Sequence, residues 1–282
     1  MKKNISTIFL IFFLVLSCLI FMNLKFHIDR IPRKKIPGSS IIYLPKGKYL
    51  KYATFGYTSL AADLIYIWAI QYYSDYSISD RFDYLEHIFT IIIELDPHYL
   101  DVYEIAAMIS GYEAKDVELA IKFLDMGLER NPDQWIFPFE AGHYARDLKR
   151  DYSLAQEYFK KASNVESSPP LIKRLYASAA FEAKNYQTAW KTWKNIYETT
   201  KDDHTKKIAA NHLYRVKASI DIAKIEQAVD EYKKKYGRNP PDLKHLVQAG
   251  LLDSIPKDFD QNKYLYNPRN GEVKTPVMPW KR

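Results

Sequence analysis

The chain has 282 residues, 47% of them hydrophobic and 27% charged, and its 41 Lys+Arg against 34 Asp+Glu leave a net charge of +7. That balance excludes a disordered tail, and the length admits one or two compact units or a repeat array. Nine glycines beside 23 tyrosines argue against collagen-like, sandwich and phosphate-loop proteins, and the lone Cys18 excludes an internal disulfide and a Cys-based metal site. The basic runs (Arg30, Arg33 and Lys34-Lys35; Lys206-Lys207; Lys233-Lys234-Lys235) are dispersed, mostly among acids, and read as solvated faces with no nucleic-acid patch.

Residues 1–24 read as an N-terminal transmembrane anchor: Ile5 to Leu24 carries no charge for 20 residues, the length a helix needs to cross a hydrocarbon core of about 30 Å. A cleaved signal would end in a small-x-small site, and no Ala-x-Ala is present after the span. Val15-Leu16-Ser17-Cys18 resembles a bacterial lipobox, although cleavage would leave Leu19-Ile20-Phe21-Met22 behind the modified cysteine. Lys2 and Lys3 precede the span, and Lys25, Arg30, Arg33, Lys34 and Lys35 come after it. A literal charge count keeps the large domain in the cytoplasm. A single leading apolar segment is also the form of a signal anchor that exports the rest of the chain, and export is the reading adopted. Residues 25–56 form a linker, extended through Pro32, Pro37, Gly38-Ser39-Ser40 and Pro45.

From residue 57 to 202 strand and turn signals are scarce and apolar residues recur at helical spacing, which predicts stacked helices. The motifs Asp116-Val117-Glu118-Leu119-Ala120, Asp151-Tyr152-Ser153-Leu154-Ala155 and Asn185-Tyr186-Gln187-Thr188-Ala189 place their alanines 35 and 34 apart. A large residue stands four positions after each (Leu124, Phe159, Trp193). Two antiparallel helices of about 14 residues with their turns consume about 34 residues. The small residue allows close approach, and the Asp or Asn stands where a helix needs an N-cap. Pro97 and Pro132, 35 apart, close two units.

This period and pattern resemble the tetratricopeptide repeat, with units at about 101–132, 135–167 and 170–201 and a degenerate earlier one. The small residue usual in the first helix is met by Ala177, but Met108 and His143 stand elsewhere, and closing prolines are missing after the last two units. The segment Tyr43 to Lys51, with Phe55-Gly56-Tyr57 and Ala62 to Tyr73, looks like the opening of bacterial membrane-anchored repeat proteins. That likeness implies an envelope location and no activity. Asp63 reads as a structural contact.

Residues 203–282 form a separate module. A long helix carries the stripe Leu213, Val216, Ile220, Ile225, Val229 and Tyr232, with Gly237 as C-cap and Asn239-Pro240-Pro241 as stop. A short helix from about Leu243 to Ala249 comes next, then a hairpin of Tyr264-Leu265-Tyr266 and Glu272-Val273-Lys274. The order helix, Tyr-Gly-Arg-x-Pro, Gly-Leu-Leu, Ile-Pro-Lys-Asp, Tyr-x-Tyr and Gly-Glu-Val resembles the C-terminal part of type II secretion pseudopilins. Some of those bind calcium there, and Asp258, Asp260 and Asn262 stand at alternate positions. Lys263 and Arg269 occupy places where an EF-hand-type loop has Gly and Glu, so turn-capping is the reading preferred.

The seven histidines show no metal spacing, and nucleophile-elbow, phosphate-loop and dinucleotide motifs are absent. The chain therefore reads as mainly α: a tetratricopeptide-like helical-hairpin solenoid behind a transmembrane helix, with a small C-terminal helix and hairpin. The resemblance implies a scaffold on the bacterial inner membrane, soluble part periplasmic, binding a protein or peptide in secretion, pilus or envelope assembly, without cofactor or small-molecule substrate. Contact candidates come from the first helices: Tyr103, Tyr112, Phe139, His143, Arg146, Arg174, Tyr176 and Phe181. A structural subunit assembled through the C-terminal module, or an envelope enzyme, are the alternatives.

Overall fold

The computed structural model describes residues 2–30 and 43–277, with side chains from Phe9 onward except that of Asp29. Helix α1, Lys2–Asp29, contains the apolar stretch Phe9–Ile28 with mean hydropathy 2.4 and none of it buried, long and apolar enough to cross a membrane. Cys18 lies exposed on it. The helix continues past Leu24, so Lys25 to Ile28 extend it instead of opening a linker. Pro32, Pro37 and Gly38-Ser39-Ser40 of the expected linker lie outside the described residues. Residues 47–53, expected as linker too, form α2 (Gly47–Ala53). It docks because Gly47 lets the backbone settle onto Ile91 and Glu94, and Lys48 N donates to Glu94 Oε2 at 2.9 Å.

Four helix pairs come next: α3 (Thr58–Tyr73) with α4 (Leu85–Leu95), α5 (Leu100–Met108) with α6 (Val117–Arg130), α7 (Ile136–His143) with α8 (Tyr152–Ser163), and α9 (Pro170–Glu182) with α10 (Tyr186–Thr199). The capping residues read from the motif do their work. Asp116, Asp151 and Asn185 accept from the amides of Leu119 (2.9 Å), Leu154 (2.9 Å) and Thr188 (3.3 Å). Each cap is preceded by a basic residue in the left-handed region, Lys115 (φ 58), Arg150 (φ 60) and Lys184 (φ 60), which reverses the chain between the helices of a pair. Ala120, Ala155 and Ala189 are fully buried, as the close approach of the helices requires.

In two units the first helix has its small residue one position before the place expected, and in the third Ala177 stands at the expected place. Ala107, Gly142 and Ala177 are buried and 35 apart, while Met108 and His143 face outward. The discrepancy comes from a π turn. Helices α5 and α7 each end in one (Ile109–Glu113 and Tyr144–Leu148), with Ala114 N bonded to Ile109 O at 2.9 Å and Lys149 N to Tyr144 O at 3.0 Å. A π turn holds one residue more than an α turn. Helix α9 has none, so the distance to the second-helix alanine is 13 in two units and 12 in the third.

Successive units are tied by polar bonds as well as by aromatic packing. Asn131 Nδ2 donates to Pro97 O at 3.0 Å, and Tyr158 Oη donates to both oxygens of Asp125 at 2.9 and 2.8 Å. Rings of Phe82, Tyr73, Phe89 and Phe123 run through the N-terminal core at centroid distances of 6.3, 5.7 and 6.0 Å.

Helix α11, Asp203–Tyr236, has 34 residues and a Gly237 cap at φ 71. Its first half packs Ala209, Leu213 and Val216 on Trp193 and Ile196 of α10, and its second half packs Ile225, Ala228 and Val229 on the C-terminal module. That module holds α12 (Lys244–Gln248) and an antiparallel hairpin of β1 (Leu265–Tyr266) and β2 (Val273–Lys274), with Leu265 opposite Lys274. Two buried carboxylates bolt it on. Asp221 accepts from Tyr264 Oη and Lys217 Nζ, both at 2.7 Å. Asp258 accepts from Tyr214 Oη (3.0 Å) and from the amides of Asp260 (2.9 Å) and Asn262 (2.7 Å). Asp258 thus closes its own turn.

The packing and the burial of one imidazole each make a testable prediction. A Cβ on Gly142 would sit 2.7 Å from the fully buried Phe159 ring, so Gly142→Val should lose about 1–3 kcal/mol of stability by overpacking, measured by urea unfolding. On α11, His212 stacks on Trp193 at 4.0 Å, and burial with Arg215 nearby pushes its pKa down from 6.5 to about 4. Because the folded-state value is the lower one, the unfolded chain binds more protons between them. The stability is full above pH 6.5 and falls as the pH drops toward 4. His212→Phe keeps the stack and should flatten that acid loss by about 2 kcal/mol, after allowing for the partial exposure of the ring, in urea titrations at neutral and acidic pH.

Candidate functional site: the face of the first helices

The first helices present one common outward face, set by the 35-residue period. On α5 and its π turn it consists of Glu104, Ile105, Met108 and Tyr112, and 35 positions later on α7 it consists of Phe139, Glu140, His143 and Asp147. Arg174 on α9 continues the row from Phe139. Phe181 comes 34 positions after Asp147, because α9 lacks the extra residue.

Of the eight residues read from the sequence, Tyr112, Phe139, His143, Arg174 and Phe181 lie on this face, and Arg146 flanks it. Tyr103 and Tyr176 do not. Tyr103 is fully buried, its hydroxyl donating to Pro97 O at 2.8 Å and its ring lying 5.3 Å from Phe137, so it seals units together and cannot meet a partner. Tyr176 packs half-buried against the main core. Phe181 carries the Arg215 guanidinium of α11 over its ring at 4.4 Å, so the long helix covers part of that end. Tyr112 is well exposed beside Tyr144, at 5.5 Å.

Phe139, His143 and Arg146 form one cluster. The Phe139 and His143 rings meet edge to face at 4.6 Å. Arg146 forks onto Asp147, Nε to Oδ1 at 2.8 Å and Nη2 to Oδ2 at 3.0 Å, which raises the pKa of the guanidinium and lowers that of the carboxyl. Arg146 Nη2 also lies 3.1 Å from His143 Nδ1, shorter than the 3.4 Å from that nitrogen to Asp147. A guanidinium only donates, so Nδ1 accepts and the imidazole is neutral, in agreement with a pKa lowered mainly by burial. On the same face Glu104 and Glu140 are raised, first by burial and then by neighbouring acids: Asp101 beside Glu104, and Glu104 beside Glu140.

A concavity lies at the N-terminal end of this face, between α3 and α5. It is a cavity of about 570 Å³ with walls of Tyr66, Ile70, Tyr73, Ile105, Met108 and Ile109. Gln71, Ser74 and Glu113 bring it a polar edge. Arg81, nearly buried, stacks on Tyr76 and Phe82 (4.6 and 4.4 Å) and reaches Glu113 at 3.5 Å. The Tyr73 hydroxyl and Arg81 Nε are buried without a hydrogen-bond partner, and burial raises the tyrosine pKa steeply. Sequence reasoning misses this pocket because its two walls are about one repeat apart. The signal present in the chain is α3 itself, which sets Leu60, Leu64, Ile67 and Trp68 where a surface helix would have a polar face. Asp63 is exposed on α3 and has a long-range influence on Tyr99.

These features define a helical-repeat solenoid with an outward-facing groove. No protein-family model and no curated protein matches the chain. Among solved structures it is similar to a tetratricopeptide repeat protein from Parabacteroides merdae ATCC 43184, at 15% identity and a TM-score of 0.34, over 76% of this chain and 87% of that one.

The cluster geometry yields an electrostatic prediction. Arg146→Gln removes the donor that holds Nδ1 as an acceptor and leaves Asp147 to receive an imidazole proton, so the His143 pKa should rise, read by NMR titration of the ring Cε1 proton.

Proposed function

We propose that this protein is a non-catalytic, membrane-anchored scaffold whose first-helix groove holds an apolar segment of another protein, with α1 in the bacterial inner membrane and the solenoid on the periplasmic side. The observation that carries the reading is the pocket between α3 and α5. Its apolar walls fit a large side chain, and Met108 adds a wall that adapts to shape. Tyr73 lines the pocket, and its buried, unpaired hydroxyl carries a desolvation cost of about 1–3 kcal/mol that a polar atom of the partner would relieve. A cation on the same partner would relieve the repulsion between Glu104 and Glu140.

The experiment is photocrosslinking in native membranes from a reactive side chain placed at Gln71 on the pocket rim. Met108 is part exposed, so Met108→Arg fills the pocket without disturbing the core. It should cut the yield of one defined adduct at least about tenfold, the effect of losing about 1.4 kcal/mol or more at an interface hot spot. An unchanged adduct would remove the groove reading.

A second reading rests on the C-terminal module, whose order of elements resembles that of type II secretion pseudopilins. A cleft of about 450 Å³ lies where it meets the repeats, lined by Trp190, Lys217, Ile220 and Phe259. If assembly runs through this module, truncation after Asp202 should abolish complex formation while Met108→Arg leaves it intact, as tracked by native gel migration.

A further inference from the structure

A repeat array ordinarily closes its ends with a polar cap, because the last helix has no neighbour to cover its outer side. The N-terminal end of this solenoid is apolar instead. Helix α3 buries Ala62, Ile65, Ala69, Tyr72 and Tyr73, and it turns Leu60, Leu64, Ile67 and Trp68 outward on the opposite side, each about half exposed. Ahead of it Tyr49, Tyr52, Phe55 and Tyr57 are all exposed. Phe55 stands at φ 50, a left-handed conformation that costs a bulky residue energy, and the result is a ring 90% exposed to solvent. This surface does not hang on a loose lead, since α2 is fixed to α4 through Gly47 and the Lys48–Glu94 bond.

Composition selects the occupant. Exposed Tyr, Trp and Phe rings together with Lys46, Lys48 and Lys51 are the residue types found at a membrane–water interface, where rings sit at headgroup level and ammonium groups meet phosphates. The core of a protein–protein contact is depleted in lysine. Asp63 is exposed at the edge of the face, a single acid against three lysines. The chain also brings the bilayer to the site. This step rests on α1 being a membrane anchor. Tyr43 lies 13 residues beyond Arg30, a reach of at most about 45 Å even when fully extended.

We propose that the α2–α3 face docks on the bilayer surface, with Phe55, Leu64 and Trp68 entering the boundary between headgroups and acyl chains and the three lysines meeting lipid phosphates. The pocket between α3 and α5 adjoins this face at Ile67 and Gln71, so docking sets the pocket at membrane level and favours a partner segment that emerges from the same bilayer.

The test uses the full chain with Cys18→Ser, carrying one nitroxide at Tyr52→Cys, Leu64→Cys, Phe13→Cys or Glu157→Cys. All four sites are exposed, so folding is preserved. The protein is reconstituted in vesicles of phosphatidylcholine with a minority of phosphatidylglycerol, and label depth is read from the accessibility of oxygen against a nickel chelate. Labels at 52 and 64 should lie about 5–10 Å below the phosphates. The label at 13 should lie in hydrocarbon and that at 157 in water. Labels at 52 and 64 as wet as that at 157, with 13 in hydrocarbon, would overturn the docking and leave the anchor standing. Spin–spin broadening at 52 and 64 would overturn it too, in favour of a second copy of the chain on this face. A wet label at 13 would remove the anchor, and the docking with it.

Discussion

The array depends on how closely the two helices of each pair approach. Ala107, Gly142 and Ala177 on the first helices and Ala120, Ala155 and Ala189 on the second carry nothing beyond a methyl group, and all are buried. At that separation a ring one turn away has only one place to go. Phe159 lies against Gly142, and Phe137 against Gly127. The turn within the last three pairs then has to be short and fixed in direction. A left-handed basic residue and, next to it, a capping Asp or Asn supply this three times. Large rings fill the remaining space between units, which accounts for so many tyrosines and so few glycines.

Much of this is legible in the chain, and the parts that are not fail for definite reasons. The second helices declare themselves because cap, alanine and large residue lie within one local stretch. Two of the first helices, α5 and α7, read one residue out of register, because a π turn leaves no mark in composition and the expected small residue simply looks absent. Residue type alone assigns Tyr103 and Tyr176 to the groove, whereas two positions' rotation about a helix axis decides between groove and seam. Helix α2 escapes because a prolyl, lysine-rich lead reads as linker, and only the packing of Gly47 onto α4 makes it a helix. The pocket is invisible since Tyr66 to Ser74 and Ile105 to Glu113 come together only in three dimensions.

Charge is used sparingly and locally. The main polar bonds in the interior join units or bolt the C-terminal module: Asn131 to Pro97, Tyr158 to Asp125, Tyr214 to Asp258, Tyr264 to Asp221. A hydroxyl donating to a carboxylate at such seams adds direction to contacts that apolar packing leaves free to slide. Among the described residues the buried polar atoms left open are Tyr73 Oη and Arg81 Nε near the pocket and Trp193 Nε1 at the seam of α10 and α11, while burial raises the pKa of Glu104 and Glu140 on the first-helix face.

The π turns make the length of a unit adjustable. The surplus residue in Ile109–Glu113 and in Tyr144–Leu148 is taken up as a local widening, while the small residues before it and the cap after it keep their places. One unit can therefore count 34 and its neighbours 35 without the stack losing step, much as a leap day absorbs a remainder without moving the seasons. Positions in such a chain correspond by the face they occupy, and a fixed numerical period will misalign any unit in which that remainder has been dropped.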